Sequence, residues 1–283
     1  MGGRMFKEKI VPLKPEKAII VQSDVINKIK QKFSELKIIK LGSVGHKPDN
    51  YLHTDIDIGI QCETIENLKN IIDETFKGSL TSEIKSFYVV SLCYEYEFDK
   101  FIQIDFIMIH NIEFAKFRYY VPDYIHNESN YKTGMKIMFM STVLNHCPER
   151  NYEIEEPYFG KFDWRPTGLY QYKINKKDMR DWSVRFFTDD LECIWLITGG
   201  EYSDFNSVES IWKFIHSDRF NYPDNVKDIE LTWFINCYKK GWFSVKPEDF
   251  KLTYWTAEQI NNILKDYKIE HVLNKMLQEG KEI

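Results

Sequence analysis

Residues 41–60, LGSVGHKPDNYLHTDIDIGI, hold a Gly-Ser turn, an eleven-residue spacer and two aspartates set between isoleucines. Read as a strand, TDIDIGI places Asp55, Asp57 and Gly59 on one face and Ile56, Ile58 and Ile60 on the other, because side chains alternate with period two. One face is then core. The other carries two carboxylates about 6–7 Å apart. Like charges that close repel unless water or a cation lies between them. An all-oxygen ligand set suits a hard divalent ion, Mg²⁺ or Mn²⁺, better than zinc.

Working outward, KIIKL at 37–41 is a β-branched run that ends at Gly42-Ser43, so the turn lies at a strand's C-terminal end. Upstream, Val25, Ile26, Ile29, Phe33 and Leu36 recur at helical spacing and predict a helix over 23–36 with Ser23 as N-cap. Downstream, Ile65, Leu68, Ile71, Ile72 and Phe76 predict a second helix over 64–77, capped by Thr64 and stopped by Gly78. SFYVVSLCYEYEF, 86–98, and KFIQIDFIMI, 100–109, read as an antiparallel hairpin around a tight Asp-Lys turn. On the second of these strands Asp105 shares a face with Phe101, Gln103, Ile107 and Ile109. A carboxylate in so apolar a strand is costly to bury without a partner, and its own strand offers no nearby cation. The ion inferred beside Asp55 and Asp57 would serve.

The composition permits a sizeable core. The chain has 283 residues, 43% of them hydrophobic and 16% aromatic, enough for two modest domains. A net charge of -5 argues against a protein that coats nucleic acid, while leaving room for a local basic groove. Five cysteines with no C-x-x-C spacing fit reduced thiols in a cytoplasmic setting. No stretch is apolar enough for a membrane span, and MGGRMFKEKI lacks the apolar core of a signal peptide.

Beyond about residue 115 the expectation is mainly helical. Helices are predicted over 131–146, from an Asn206–Glu209 capping box through Ile215, and from Thr256 to Gly280. Between them Lys173, Lys176, Lys177, Arg180 and Arg185 outnumber Asp178 and Asp181. Tryptophans 164, 182, 195, 212, 233, 242 and 255 offer either core or base-stacking surface.

The order of strand, Gly-Ser turn, Asp-x-Asp strand and a third Asp on a neighbouring strand resembles the nucleotidyltransferase superfamily of DNA polymerase beta. Gly42 and Ser43, Asp55 and Asp57 in TDIDI, and Asp105 in IQIDF carry the resemblance, which covers roughly residues 20–110. It implies an α+β fold, with a mixed-sheet nucleotidyltransferase domain over 1–118 followed by a mainly helical accessory domain over 119–283. It also implies that Gly42 and Ser43 meet the phosphates of an NTP such as ATP, that Asp55 and Asp57 hold two Mg²⁺ (or Mn²⁺) ions, and that Asp105 completes the acceptor-side site. Two ions about 3.5–4 Å apart stabilise attacking and leaving oxygens together. Lys132 and Lys136, one helical turn apart, would reach the triphosphate from the second domain or else line an exposed helix face. His46, Lys47 and His53 would steer phosphate or be simply solvated.

The expected reaction moves a nucleoside monophosphate from an NTP to an acceptor hydroxyl and releases pyrophosphate. The basic 173–185 segment favours an RNA 3′ end as acceptor, with small molecules and proteins as alternatives. A nucleotide-sugar glycosyltransferase shares Asp-x-Asp but has neither the Gly-Ser turn nor a need for the third Asp. A haloacid-dehalogenase phosphatase wants Thr or Val where Gly59 stands. An inactive nucleotide- or nucleic-acid-binding module on the same fold has little use for three buried carboxylates.

Overall fold

A computed structural model describes residues 5–6, 9–45, 52–77, 82–119, 133–206, 208–215 and 217–220. The chain divides into two compact units, Met1–Tyr120 with Glu153–Ile194, and Val121–Tyr152 with Trp195–Ile283. The described part is an α+β structure built on a mixed sheet.

In the first unit, α1 (Pro15–Lys32) leads to β1 (Ile38–Leu41), β2 (Asp55–Gln61), α2 (Ile65–Thr75), β3 (Ser82–Ser86), β4 (Val89–Glu97), β5 (Lys100–Ile109) and α3 (Ile112–Tyr119). The five strands pair in the order β1-β2-β5-β4-β3, with β2 and β5 parallel and every other neighbour antiparallel. Ile56, Ile58 and Ile60 of β2 and Ile102, Ile104 and Phe106 of β5 are all fully buried on the face covered by Val25 and Ile29 of α1 and Leu68 and Ile72 of α2. Each such side chain contributes about 1.5–3 kcal/mol by leaving water. On the opposite face Leu41, Ile107 and Ile109 pack against Ala115 of α3. Gly59 sits where β1 presses on β2, since a Cβ there would stand 2.8 Å from both Ile39 Cγ1 and Leu41 Cδ1.

Two local expectations need correction. The first helix starts at Pro15, eight residues before the expected cap, and Ser23 lies inside it with its hydroxyl donating to the Ile19 carbonyl (2.9 Å). Pro15 at the first turn loses no helical hydrogen bond, and Glu16 complements the helix dipole, so the start signal is proline and not serine. The hairpin turn is Phe98-Asp99, with Asp99 at φ 56° and Lys100 already in β5. The second helix agrees with its capping signal: Thr64 accepts from the Asn67 amide at 3.1 Å.

The segment after 119 is not uniformly helical. Within the first unit β6 (Tyr158–Arg165), β7 (Gly168–Asn175) and β8 (Trp182–Thr188) form a separate three-stranded antiparallel sheet. The alternation Phe162/Trp164 and Leu169/Gln171 buries one face, which is the period of a strand. Trp164 stacks on Phe114 of α3 with ring centroids 4.9 Å apart, and its carbonyl accepts from Arg118. The next helix, α5 (Leu191–Thr198), begins in the first unit.

The second unit contains α4 (Thr133–His146), a short 3₁₀ turn (Pro148–Asn151), α6 (Tyr202–Phe205) and α7 (Val208–Ile215). The reciprocal cap is made by Glu201 and Asp204 around α6, and Asn206 accepts from the Ser210 hydroxyl. The expected helix from Thr256 lies outside the described residues. No helix among the described residues is long and apolar enough to cross a membrane.

Candidate metal centre

The isoleucine faces of β2 and β5 must both meet α1 and α2, and this parity turns Asp55, Asp57 and Asp105 to the other side of the sheet. Parallel register then sets Asp57 directly beside Asp105 and Asp55 beside Gln103. One carboxylate oxygen from each aspartate lies within 4.8 Å of those of the other two. Oxygens bound to a single Mg²⁺ at about 2.1 Å are about 3 Å apart when adjacent and about 4.2 Å when opposite. The cluster is therefore of the right size and donor type for Mg²⁺ or Mn²⁺, after small side-chain adjustments.

Asp105 is 4% exposed. Its Oδ1 accepts from the Ser91 hydroxyl, the residue opposite it on β4, at 2.5 Å and from Gln103 Nε2 at 2.7 Å. The Gln103 amide is itself oriented, because its Oε1 accepts the Met5 backbone N–H at 3.1 Å. Two donors on Oδ1 hold the carboxylate against rotation. On β2, Gln22 of α1 donates through Nε2 to the Asp57 carbonyl at 3.0 Å, pinning the strand from its core side.

The turn after β1 reaches the cluster because β1 pairs Leu41 with Asp57. Gly42 has φ 77°, and a Cβ there would lie 2.1 Å from Asp57 Oδ2, so any other residue would be strained and would have to push that carboxylate aside. Ser43 follows, its Oγ 3.2 Å from His53 Nδ1. His53 is not a solvated loop residue. It is 1% exposed and exchanges two backbone hydrogen bonds, each 2.8 Å, with Leu13. The Tyr119 phenol is pushed well above its usual range, chiefly by burial; Arg118 opposes the rise, and Asp57 and Asp105 add to it.

Asp55, Asp57, Asp105, Gly42 and Ser43 thus share one end of the β1–β2–β5 ladder. Lys132, His46 and Lys47 lie outside the described residues, as does the Lys136 side chain, although Lys136 itself falls in α4. The basic 173–185 segment forms the β7–β8 hairpin, where Glu156 pairs with Lys176, Asp178 with Arg180 and Glu153 with Arg185. Its charge is therefore more nearly balanced than its local composition implies. Gln103, Ser91 and Gln22 were not expected at the site. A signal for Gln103 was present, since it lies two residues before Asp105 and so shares its face.

Compared with models of known protein families and with curated protein sequences, the chain matches none.

Proposed function

We propose that the chain is a metal-dependent nucleotidyltransferase of the DNA polymerase beta type, moving a nucleoside monophosphate from an NTP to an acceptor hydroxyl. The observation that carries this reading is the gathering of Asp55, Asp57 and Asp105 into one oxygen cluster with Gly42 packed on Asp57. A lone Asp-x-Asp needs no third carboxylate from a parallel strand, and a structural turn needs no approach to a carboxylate this close. Mg²⁺ or Mn²⁺, when bound, would neutralise phosphate charge and polarise the phosphoryl group. Asp55 and Asp57 would hold both ions, and Asp105 would complete the acceptor-side one.

In the reaction the acceptor oxygen bonds to the α-phosphorus, the bond from that phosphorus to the β-phosphate oxygen breaks, and pyrophosphate leaves. The hydroxyl proton passes to water. The protein's part is to orient: Ser91 and Gln103 keep Asp105 in one rotamer, Gln22 keeps the Asp57 backbone in place, and the Gly42-Ser43 backbone faces the phosphates with N–H groups. The acceptor proposed is an RNA 3′ hydroxyl. The free thiols of Cys62, Cys93, Cys147 and Cys193 support a reducing, cytoplasmic setting.

The test is incubation with each labelled NTP and Mg²⁺ or Mn²⁺, with and without total RNA, scoring incorporated label and released pyrophosphate. Label in RNA that disappears in Asp57→Asn and Asp105→Asn supports the proposal. Wild-type protein that releases no pyrophosphate from any NTP with any acceptor fraction overturns it.

A further inference from the structure

We propose that the outer face of the β6–β7–β8 sheet binds a single-stranded polynucleotide. Sheet parity places Trp182, Val184 and Phe186 of the edge strand β8 on the same side as Tyr170 and Tyr172 of β7 and Arg165 of β6. The opposite side buries Phe162, Trp164 and Leu169, so this face is the outer one. Trp182 is 54% exposed and Phe186 48%. Single exposed apolar residues are ordinary, but an edge strand carrying three in alternation is a feature proteins usually avoid.

The rings form a continuous row. Trp182 lies 5.6 Å from Tyr172, the Arg165 guanidinium sits over Tyr172 at 5.5 Å and over Tyr170 at 4.4 Å, and Tyr170 meets Phe186 at 5.6 Å. A strip of open rings interleaved with a planar cation is a platform on which successive bases stack without sequence readout. Charge selects this occupant over another. Residues 158–188 carry seven Lys and Arg against three Asp. After Glu153 and Glu156 are counted as partners of Arg185 and Lys176, a net of +2 remains on this sheet and its turn, on a chain whose total is -5; on the outer face itself Asp163 pairs with Arg165 at 2.8 Å, which leaves the Lys161 charge. A second copy of this sheet would bring like charge to like charge, whereas a polyanion is attracted to a positive surface. Lys161, exposed on the same face, and Lys177 in the hairpin turn are available to backbone phosphates.

The surface stands on its own residues. Its use to seat an acceptor strand rests on the nucleotidyl-transfer reading above. The experiment uses the full chain with labelled oligouridylate and oligothymidylate of about 12 nucleotides, read by fluorescence anisotropy in EDTA so that metal plays no part. Both should bind saturably, with a log-log salt slope of about -1.4 for two neutralised phosphates. Tighter binding of the uridylate would identify RNA as the source, tighter binding of the thymidylate DNA.

Trp182→Ala should weaken binding at least about 5-fold, the lower end for one lost stacking contact, and Trp182→Phe should restore most of it. An unchanged urea midpoint would show these exposed variants intact. Full affinity in a Trp182→Ala, Phe186→Ala double variant overturns the proposal. So does the absence of oligonucleotide binding, or Trp182-dependent self-association in sedimentation. Binding of Mg²⁺–NTP is titrated separately: its absence alongside Trp182-dependent oligonucleotide binding would sink the enzymatic reading and leave this surface standing. NTP turnover without oligonucleotide binding would do the reverse.

Discussion

Replacing Gln103 by Leu tests whether the Asp105 carboxylate is held by its neighbours. The substitution nearly keeps the buried volume but removes the 2.7 Å bond from Nε2 to Asp105 Oδ1 and the 3.1 Å bond from the Met5 amide to Oε1. A buried hydrogen bond to a carboxylate is worth about 1.5–3 kcal/mol, and the amide bond about 1 kcal/mol. Burying leucine in place of a carboxamide returns about 1 kcal/mol. The net loss is about 2 kcal/mol. With a urea dependence of about 2 kcal/mol per molar, the unfolding midpoint should fall by about 1 M.

Ser91→Ala removes the second donor to the same oxygen. Because either donor partly serves in the other's absence, the double variant should cost about 0.5–1 kcal/mol more than the two singles together. Gln103→Glu distinguishes loss of a donor from added charge. The new carboxyl beside Asp105 is held above the ordinary glutamate range by like charge, so the variant should come closest to wild type below about pH 4 and lose stability as pH rises. A Gln103→Leu midpoint within about 0.3 M of wild type, or strict additivity with Ser91→Ala, would refute the view that these two donors fix the carboxylate.

Gly42→Ala should cost about 1–2 kcal/mol for the left-handed backbone alone, and should abolish Mn²⁺ binding in a paramagnetic titration because the Cβ displaces Asp57 Oδ2. Asp57→Asn should abolish transfer while raising the urea midpoint measured in EDTA, since one of three clustered charges is removed. Glu97, bound by Lys17 and Lys100, should titrate at about 2 when its carboxyl is followed by NMR. That folded value lies below the unfolded one, so the pair's contribution to stability is present above about pH 4.3 and is lost as pH falls toward 2. Trp164→Ala should cost about 3–5 kcal/mol and loosen the β6–β8 sheet from α3, seen as increased amide exchange in residues 158–188.

What could be read from the chain was parity, and what could not was partnership. Strand period two obliges Asp57 and Asp105 to lie opposite their isoleucines, so once both strands join one sheet over α1 and α2 the aspartates must share a face. Nothing local fixes the register that sets Asp57 against Asp105 and not against Gln103 or Ile107; that follows from how α2 and the β3–β4 hairpin return the chain. The same limit explains Ser91 and Gln103. Asp105 was expected to need a cation because its face of the strand offers none, yet two neutral donors meet it, one from the strand across and one from two residues away.

Local signals also compete with one another. Serine at 23 is a common cap, but Pro15 starts the helix because its missing N–H is harmless only in a first turn. In 158–188 a cluster of Lys and Arg overlies the alternation Phe162, Trp164, Leu169, Gln171 that builds a sheet. Once that sheet is recognised, the cations change meaning. Lys176 and Arg185 are taken up by Glu156 and Glu153, and the outer face leaves to solvent Trp182, Val184 and Phe186 beside Lys161. Polynucleotide binding there should therefore depend more on Trp182 and Phe186 than on any one lysine, the opposite weighting to the one that composition alone suggests.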